Sequence, residues 1–270
     1  MQKLEDIKPQ QSIELLKSLH ILTRDGKINQ DSRRKLKQVY HLYNFVEPIL
    51  KSLQKENKNF LIVDHGCGKS YLGFILYDLF IKNSSGNIIG IELRNELVES
   101  AKELAKQLNF ERMSFINSYI MATKEKIRNN VDMVTALHAC DTATDDAIHF
   151  GLERKAKYMF LVPCCQAEIA KHLKDGKSQS LKKPLAELWR HKIHTIEMGS
   201  HLTNVLRCLL LESQGYKVSV TELVGWEHSM KNELIIAEYI GSKKGNAQKR
   251  IENILEEFNL QNLKSRFIFN

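Results

Sequence analysis

Between Phe60 and Ile240 the chain alternates short, uninterrupted apolar runs with longer stretches of helical period, and this alternation constrains the fold more than any other feature. Phe60–Val63, Asn87–Ile91, Met113–Ile116, Val131–Leu137 and Tyr158–Val162 are the apolar runs. Helical patterns follow the first from Tyr71 to Phe80, the second from Asn95 to about Leu108, and the fourth from about Thr144. A strand that is apolar at successive positions has both faces covered, as parallel strands joined by helical crossovers do. Tyr216–Leu223 and Glu233–Ile240 read as two further strands with a short connection, as an antiparallel hairpin closing the sheet requires.

The expected fold is therefore α/β: a Rossmann-like, seven-stranded, mostly parallel sheet with an antiparallel terminal hairpin and a helical N-terminal extension. In that extension, Gln11–Leu22 sets Ile13, Leu15, Leu16, Leu19 and Leu22 on one side of a helix, and Arg24–Lys27 is a turn. Asp31 or Ser32 can cap a second helix reaching about Leu53, which Pro48 interrupts or restarts. Its apolar side is Leu36, Val39, Tyr40, Tyr43 and Val46, while Arg33, Arg34, Lys37 and His41 form a basic stripe that is either a solvated face or a phosphate-contacting one. Past the sheet, Ala247–Phe258 reads as a terminal helix with a loose end. The division expected is 1–57 as the helical extension, 58–241 as the Rossmann-like domain, and 242–270 as C-terminal helix and tail.

Charge and cysteine usage narrow the setting. The formal net charge is +8, and residues 1–59 hold 12 basic against 7 acidic residues, so a fifth of the chain carries more than half of the excess. An anionic partner fits that bias, nucleic acid being the usual one. A second basic stretch, 166–204, holds Lys171, Lys174, Lys177, Lys182, Lys183, Arg190 and Lys192, with His191, His194 and Trp189, which can stack on a base or fill a core pocket. No apolar stretch approaches the roughly 20 residues that span a bilayer, so no membrane partner is expected. The opening residues, Met1–Lys8, contain no hydrophobic core of a secretion signal. Five cysteines, an odd number, read as reduced thiols, and the expected location is cytoplasmic.

The loop after the first strand decides the cofactor. It runs Asp64-His65-Gly66-Cys67-Gly68-Lys69-Ser70. A phosphate-binding loop needs a glycine five residues before Gly68, and Val63 stands there. A dinucleotide fingerprint needs a third glycine where Tyr71 stands, which makes an NAD(P)-dependent oxidoreductase the weaker alternative. S-adenosylmethionine fits better: Asp64 repels a pyrophosphate but suits a cofactor with a cationic amino-acid end, although a carboxylate here is also a common helix cap. Glu92, ending the second strand before Leu93, is placed to accept both ribose hydroxyls.

Val63–Leu72 resembles the first motif of class I S-adenosylmethionine-dependent methyltransferases. Leu137-His138-Ala139-Cys140-Asp141-Thr142-Ala143-Thr144-Asp145 and Pro163-Cys164-Cys165 resemble, more narrowly, the H-x-C-G-x-A-T-D … C-C pattern of one methyltransferase-domain family. That family includes the eukaryotic enzyme that 2′-O-methylates the tRNA acceptor stem and the methyltransferase domain of the glutathione-S-transferase-C-terminal-domain-containing protein. Ser229–Asn232 is similar to the family's S-P-x-N element and Gly215-Tyr216 to its G-Y pair, so the resemblance runs from about residue 35 to 240. Two positions depart from it: Asp141 stands for the usual glycine, and Gln166 follows the cysteine pair where the tRNA enzymes have histidine.

The candidate cofactor-binding set is Asp64, His65, Gly66, Cys67, Gly68, Lys69, Glu92, Leu93, Ser118, Leu137 and His138. For a hydroxyl acceptor a base must take the proton. His138, Asp141 and Asp145 are the catalytic candidates, with His201 behind, and a structural hydrogen-bonding role is the alternative for His138. Cys67, Cys140, Cys164 and Cys165 also fall at strand ends. They read as packing thiols; Cys140, Cys164 and Cys165 read alternatively as zinc ligands with His138, and Cys164 after Pro163 as a nucleophile toward a pyrimidine. No metal is assigned. RNA, its ribose hydroxyl in particular, is the acceptor that charge and resemblance imply, and a non-catalytic cofactor- or RNA-binding module is the alternative.

Overall fold

Leu61–His65 (β1) is buried at every position, as its apolar run requires. In the computed structural model, which describes residues 7–119, 123, 126, 127, 130–137, 139, 141–163, 166–175, 184–223 and 233–269, β1 is flanked on both sides. Asn87–Glu92 (β2) and Met133–Leu137 (β4) pair with it in parallel, Met113–Asn117 (β3) pairs with β2, and Tyr158–Val162 (β5) pairs with β4. Glu233–Tyr239 (β7) then runs antiparallel to β5, with Tyr216–Glu222 (β6) antiparallel beyond it. The sheet is thus seven-stranded in the order β3-β2-β1-β4-β5-β7-β6, mostly parallel with the antiparallel pair at one end. The sequence order reverses between β1 and β4, the switch point beside which open α/β sheets bind their ligands at the C-terminal strand ends.

Alternate strand residues feed two cores. Ile62, Ile88, Met133 and Phe160 face Ile13–Ser18 (α1), Gln30–Glu56 (α2), Tyr71–Leu79 (α3) and Asn95–Gln107 (α4). Val63, Val134, Met159 and Ile235 face Thr142–Glu153 (α5), Glu168–Asp175 (α6), Lys192–Ser213 (α7), Ala247–Glu257 (α8) and Lys264–Phe267 (α9). The N-terminal helices contribute Leu36, Leu42, Val46, Leu50 and Leu53 directly to the first core.

Several local expectations need correction. Asn29, not Asp31 or Ser32, caps α2, its side chain accepting from Ser32 N at 2.7 Å. Pro48 neither breaks nor restarts α2, because it lies exposed and the donor it lacks is missed only on the wet side. The first helix is short and ends before His20, which takes a left-handed φ of 54°, yet Leu19, Ile21 and Leu22 still reach the core from the turn. Asp78 of α3, 1% exposed, ties this turn down by accepting from Ser12 N at 2.6 Å, Lys82 Nζ at 2.7 Å and Gln11 Nε2. The C-terminal tail is not loose: Leu260, Leu263 and Phe267 are buried, and Gln214 Nε2 donates to Phe269 O at 3.1 Å.

Candidate active site

At the mouth of the crevice the chain leaves β1 through three left-handed residues, Gly66 (φ 62°), Gly68 (φ 56°) and Ser70 (φ 53°). A Cβ on Gly66 would come no nearer than 3.6 Å to Ala139, so conformation rather than space selects glycine there. The turn closes with Ser70 N donating to Cys67 O at 2.7 Å, while Cys67 N donates to Ile91 O at 3.0 Å and so fastens the loop to β2. Lys69 stands exposed on its crest.

Glu92 ends β2, 7% exposed, with its carboxylate directed into this loop. Oε2 accepts from Gly68 N at 2.9 Å, and Oε1 accepts from Arg94 N and Arg94 Nε, each at 3.0 Å. Burial works against its charge, but the Arg94 side chain, the Arg94 amide and the Gly68 amide outweigh it and hold the pKa below the ordinary glutamate value. A carboxylate offers about four acceptor positions, so protein donors occupy three and a hydroxyl pair displaces one of the two from Arg94. The guanidinium is free to leave, its side chain being 61% exposed. Leu93 beside it is 50% exposed, an apolar platform at the rim. Asn117 Nδ2 holds this corner by donating to Glu92 O at 3.2 Å and Leu93 O at 2.7 Å, and Ser118 N donates to Glu92 O at 3.2 Å. Leu137 is half-buried at the end of β4.

Three residues of the candidate cofactor set turn inward instead. Asp64 is 3% exposed and accepts from Thr135 Oγ1 at 2.6 Å across the β1–β4 register. Burial lifts its carboxyl to about 6, more than the threonine hydroxyl lowers it. It is thus tied into the sheet rather than presented at the loop's exposed crest. The His65 ring is fully buried, 4.6 Å from the Phe150 ring in T-shaped contact, and burial pushes its pKa down to about 3. It packs beneath the sheet and cannot touch a ligand at the crest. Cys67 Sγ lies 3.0 Å from where a Gly90 Cβ would be, so the thiol fills a gap over β2. Burial and the Asp64 and Glu92 carboxylates raise its pKa and keep it protonated. Sequence alternation alone cannot separate these inward side chains from a loop whose backbone faces out.

His138, Cys140, Cys164 and Cys165 lie outside the described residues, as do Lys177, Lys182, Lys183 and Ser229–Asn232. The two carboxylates are not free bases. Asp145, 3% exposed, receives Arg207 Nε on Oδ1 at 2.7 Å and Arg207 Nη2 on Oδ2 at 2.8 Å. Asp141 Oδ1 accepts from Ala167 N at 3.0 Å and Glu168 N at 3.2 Å, which caps the start of α6. Asp141 also has φ 49° and ψ −120°, a conformation native to the glycine for which it stands. Arg207, fully buried, completes the knot through Nη2 to Asp141 O at 2.8 Å and Nη1 to Asn204 Oδ1 at 3.1 Å. Asn204 Nδ2 in turn donates to Glu233 Oε2 at 2.5 Å, and Ser200 Oγ donates to Gln166 Oε1 at 2.7 Å. His201 is exposed on α7.

The basic stretches divide similarly. Trp189 is 3% exposed against Phe258, which makes it core, and Arg190 pairs with Glu187. Arg34 pairs with Asp31, and His41 rests edge-on against Phe45 at 5.1 Å. Arg94, Asn117 and Thr135 are the residues that sequence reasoning overlooked. Only Thr135, a hydroxyl inside an apolar strand, carried a signal.

Residues 34–172 match the family described as Methyltransferase domain. The chain is 25% identical over 235 residues to the glutathione S-transferase C-terminal domain-containing protein of Bos taurus, covering 79% of this chain and 34% of that protein. It therefore spans about a third of the length of the curated relatives it matches. Among solved structures, the SAH-bound methyltransferase PaMTH1 of Podospora anserina aligns with a TM-score of 0.48 at 13% identity, over 86% of this chain and 88% of that one. An rRNA methylase from Streptococcus thermophilus aligns with a TM-score of 0.44 at 10% identity, over 67% and 87%.

Proposed function

The chain belongs to the methyltransferase-domain family, its matched segment covering residues 34–172, and on that premise we propose that it methylates RNA with S-adenosylmethionine as donor. The observation that carries the cofactor reading is the Gly66–Ser70 crest fastened to a buried, ionised Glu92. The residues fit the group. Glu92 keeps one acceptor position open and gains a second when Arg94 withdraws, enough for two ribose hydroxyls, and the exposed face of Leu93 suits an adenine ring. When bound, the cofactor supplies a methyl group already activated on a sulfonium. The chain's own task is then to position the acceptor in line and to take up a proton.

Of the three candidate bases, Asp145 is held by Arg207 and Asp141 by the α6 amides, which leaves the proton of a ribose hydroxyl to His138 by its place in the chain. RNA rather than protein is favoured by the surplus of basic residues in the N-terminal extension.

Calorimetry with S-adenosylhomocysteine, S-adenosylmethionine and NAD, followed by labelled methyl transfer to total RNA and total protein, tests the reading. Both sulfur nucleosides bind and NAD does not, and label enters RNA. Glu92→Ala loses one to two charged hydrogen bonds, on the order of 1.5–3 kcal/mol each, and so weakens S-adenosylhomocysteine at least tenfold. His138→Ala loses transfer even at saturating S-adenosylmethionine. NAD binding, or label in protein alone, overturns the proposal.

A further inference from the structure

The N-terminal extension carries a cationic trough that reaches the crest of the candidate active site. A cleft of about 380 Å³ is lined by Lys17, His20, Thr23, Arg24, Asn29 and Ser32 over a floor of Ile21 and Leu22. A narrower one of about 110 Å³ shares His20 with it and is lined by Lys69 and Tyr71 of the loop after β1 together with the apolar Leu19, Phe74, Leu97 and Leu104. No Asp or Glu lines either cleft. Lys17, Arg24 and Lys69 are exposed, and among the described residues none of the three side chains has a hydrogen-bond or ion-pair partner. Arg34 with Asp31 and Lys51 with Glu47 are paired on the neighbouring helix. The trough is also rigidly seated. Asp78 anchors the backbone of Ser12, and Tyr71 Oη donates to Leu19 O at 3.3 Å.

We propose that this trough holds the phosphodiester backbone of the substrate RNA, with Lys17, Arg24 and Lys69 as phosphate contacts and the extension as the docking element that delivers the strand to the crest. The assignment rests on the RNA reading above. Unpaired cations interleaved with Ser, Thr and Asn hydroxyls and amides are the donor mixture that phosphate oxygens take. An acidic protein would leave those neutral donors facing carboxylates whose spacing the trough does not fix.

The test is fluorescence anisotropy of a labelled single-stranded RNA oligonucleotide with the full chain, read as affinity against salt. Lys17→Ala/Arg24→Ala weakens binding about tenfold and lowers the slope of log K against log salt by about 1.4, two single-strand phosphate contacts at roughly 0.7 each. Lys243→Ala/Lys249→Ala, the same charge change on the C-terminal segment, alters affinity less than twofold. S-adenosylhomocysteine titrates identically in all three proteins, which shows the fold and crest intact. If the trough variant binds RNA as tightly as the parent, or the control pair weakens it equally, the trough assignment is overturned while the function stands. If the parent binds S-adenosylhomocysteine and polyglutamate but not RNA, or binds a DNA strand of the same sequence tenfold tighter, the RNA reading and the trough fall together.

Discussion

Asp64 and His65 are neighbours in one buried strand whose charges are perturbed in opposite senses. Asp64 titrates near 6 folded against 3.8 unfolded, so its neutral form favours the folded state. That stability is complete below about pH 4 and is lost as pH rises through 6. His65 titrates near 3 folded against 6.5 unfolded, so its contribution is complete above pH 6.5 and is lost as pH falls toward 3. Between pH 4 and 6 the two slopes, each about 1.4 kcal/mol per pH unit, cancel. Asp64→Asn keeps an acceptor for the Thr135 hydroxyl and removes one slope. Relative to the parent it gains roughly 1.4 kcal/mol per unit from pH 4 to 6, reaching about 2–3 kcal/mol at pH 7. Urea midpoints of the two proteins at pH 4, 5, 6 and 7 check this, and a constant difference refutes it. The identity of Asp64 and Glu92 as the paired carboxylates of the crevice was legible in the sequence, because strand ends place such residues at the ligand edge. That Asp64 lies under the crest, with Glu92 bonded to Gly68 N and Arg94, was not, since a two-residue strand period cannot report which donor a buried carboxylate meets.

Among the elements, α7 does most to shape the acceptor side. It presents Ser200, Asn204 and Arg207 inward, and through them holds the segment after β4, the start of α6 and the start of β7. These polar residues hide α7 from a hydropathy reading: its buried face carries hydrogen-bonding groups where an apolar period would otherwise mark it. The five parallel strands, by contrast, were readable to within two residues, because both of their faces are covered. Removing Arg207 leaves Asp145 as an uncompensated buried charge. Arg207→Met is expected to cost about 3–5 kcal/mol, while Arg207→Met/Asp145→Leu costs markedly less than the sum of the single changes. Denaturant unfolding of the four proteins in the cycle measures the coupling; additive effects would show that the pair is not the unit holding these segments.

Over the whole molecule, the sequence divides at residue 57 but the packing does not. Composition shifts there because the extension is basic and polar on its outer face, yet its inner face supplies Leu36, Val39, Leu42, Val46, Leu50 and Leu53 to the same core as Ile62, Ile88 and Phe160. Helical period reveals that α2 has an apolar side; it does not reveal that this side shares one core with α3 and with strands β1, β2, β4 and β5. The opposite sheet face is covered by α5 and α7, and α8, Leu260, Leu263 and Phe267 pack into the same core. A three-layer sheet stripped of one cover exposes a contiguous apolar surface to water, a cost of about 25 cal/mol per Å² set against a domain stability of only about 5–15 kcal/mol. A chain starting at residue 58 is therefore expected to lose cooperative unfolding and bind the hydrophobic dye ANS. A chain starting at residue 7 should unfold as sharply as the parent, with Gln11 and Ser12 still on Asp78. Calorimetric scans with near-ultraviolet circular dichroism distinguish the cases: a sharp transition and native near-ultraviolet signal from the residue-58 chain would make the extension a docked appendage, and the trough it carries would have to work without the sheet beneath it.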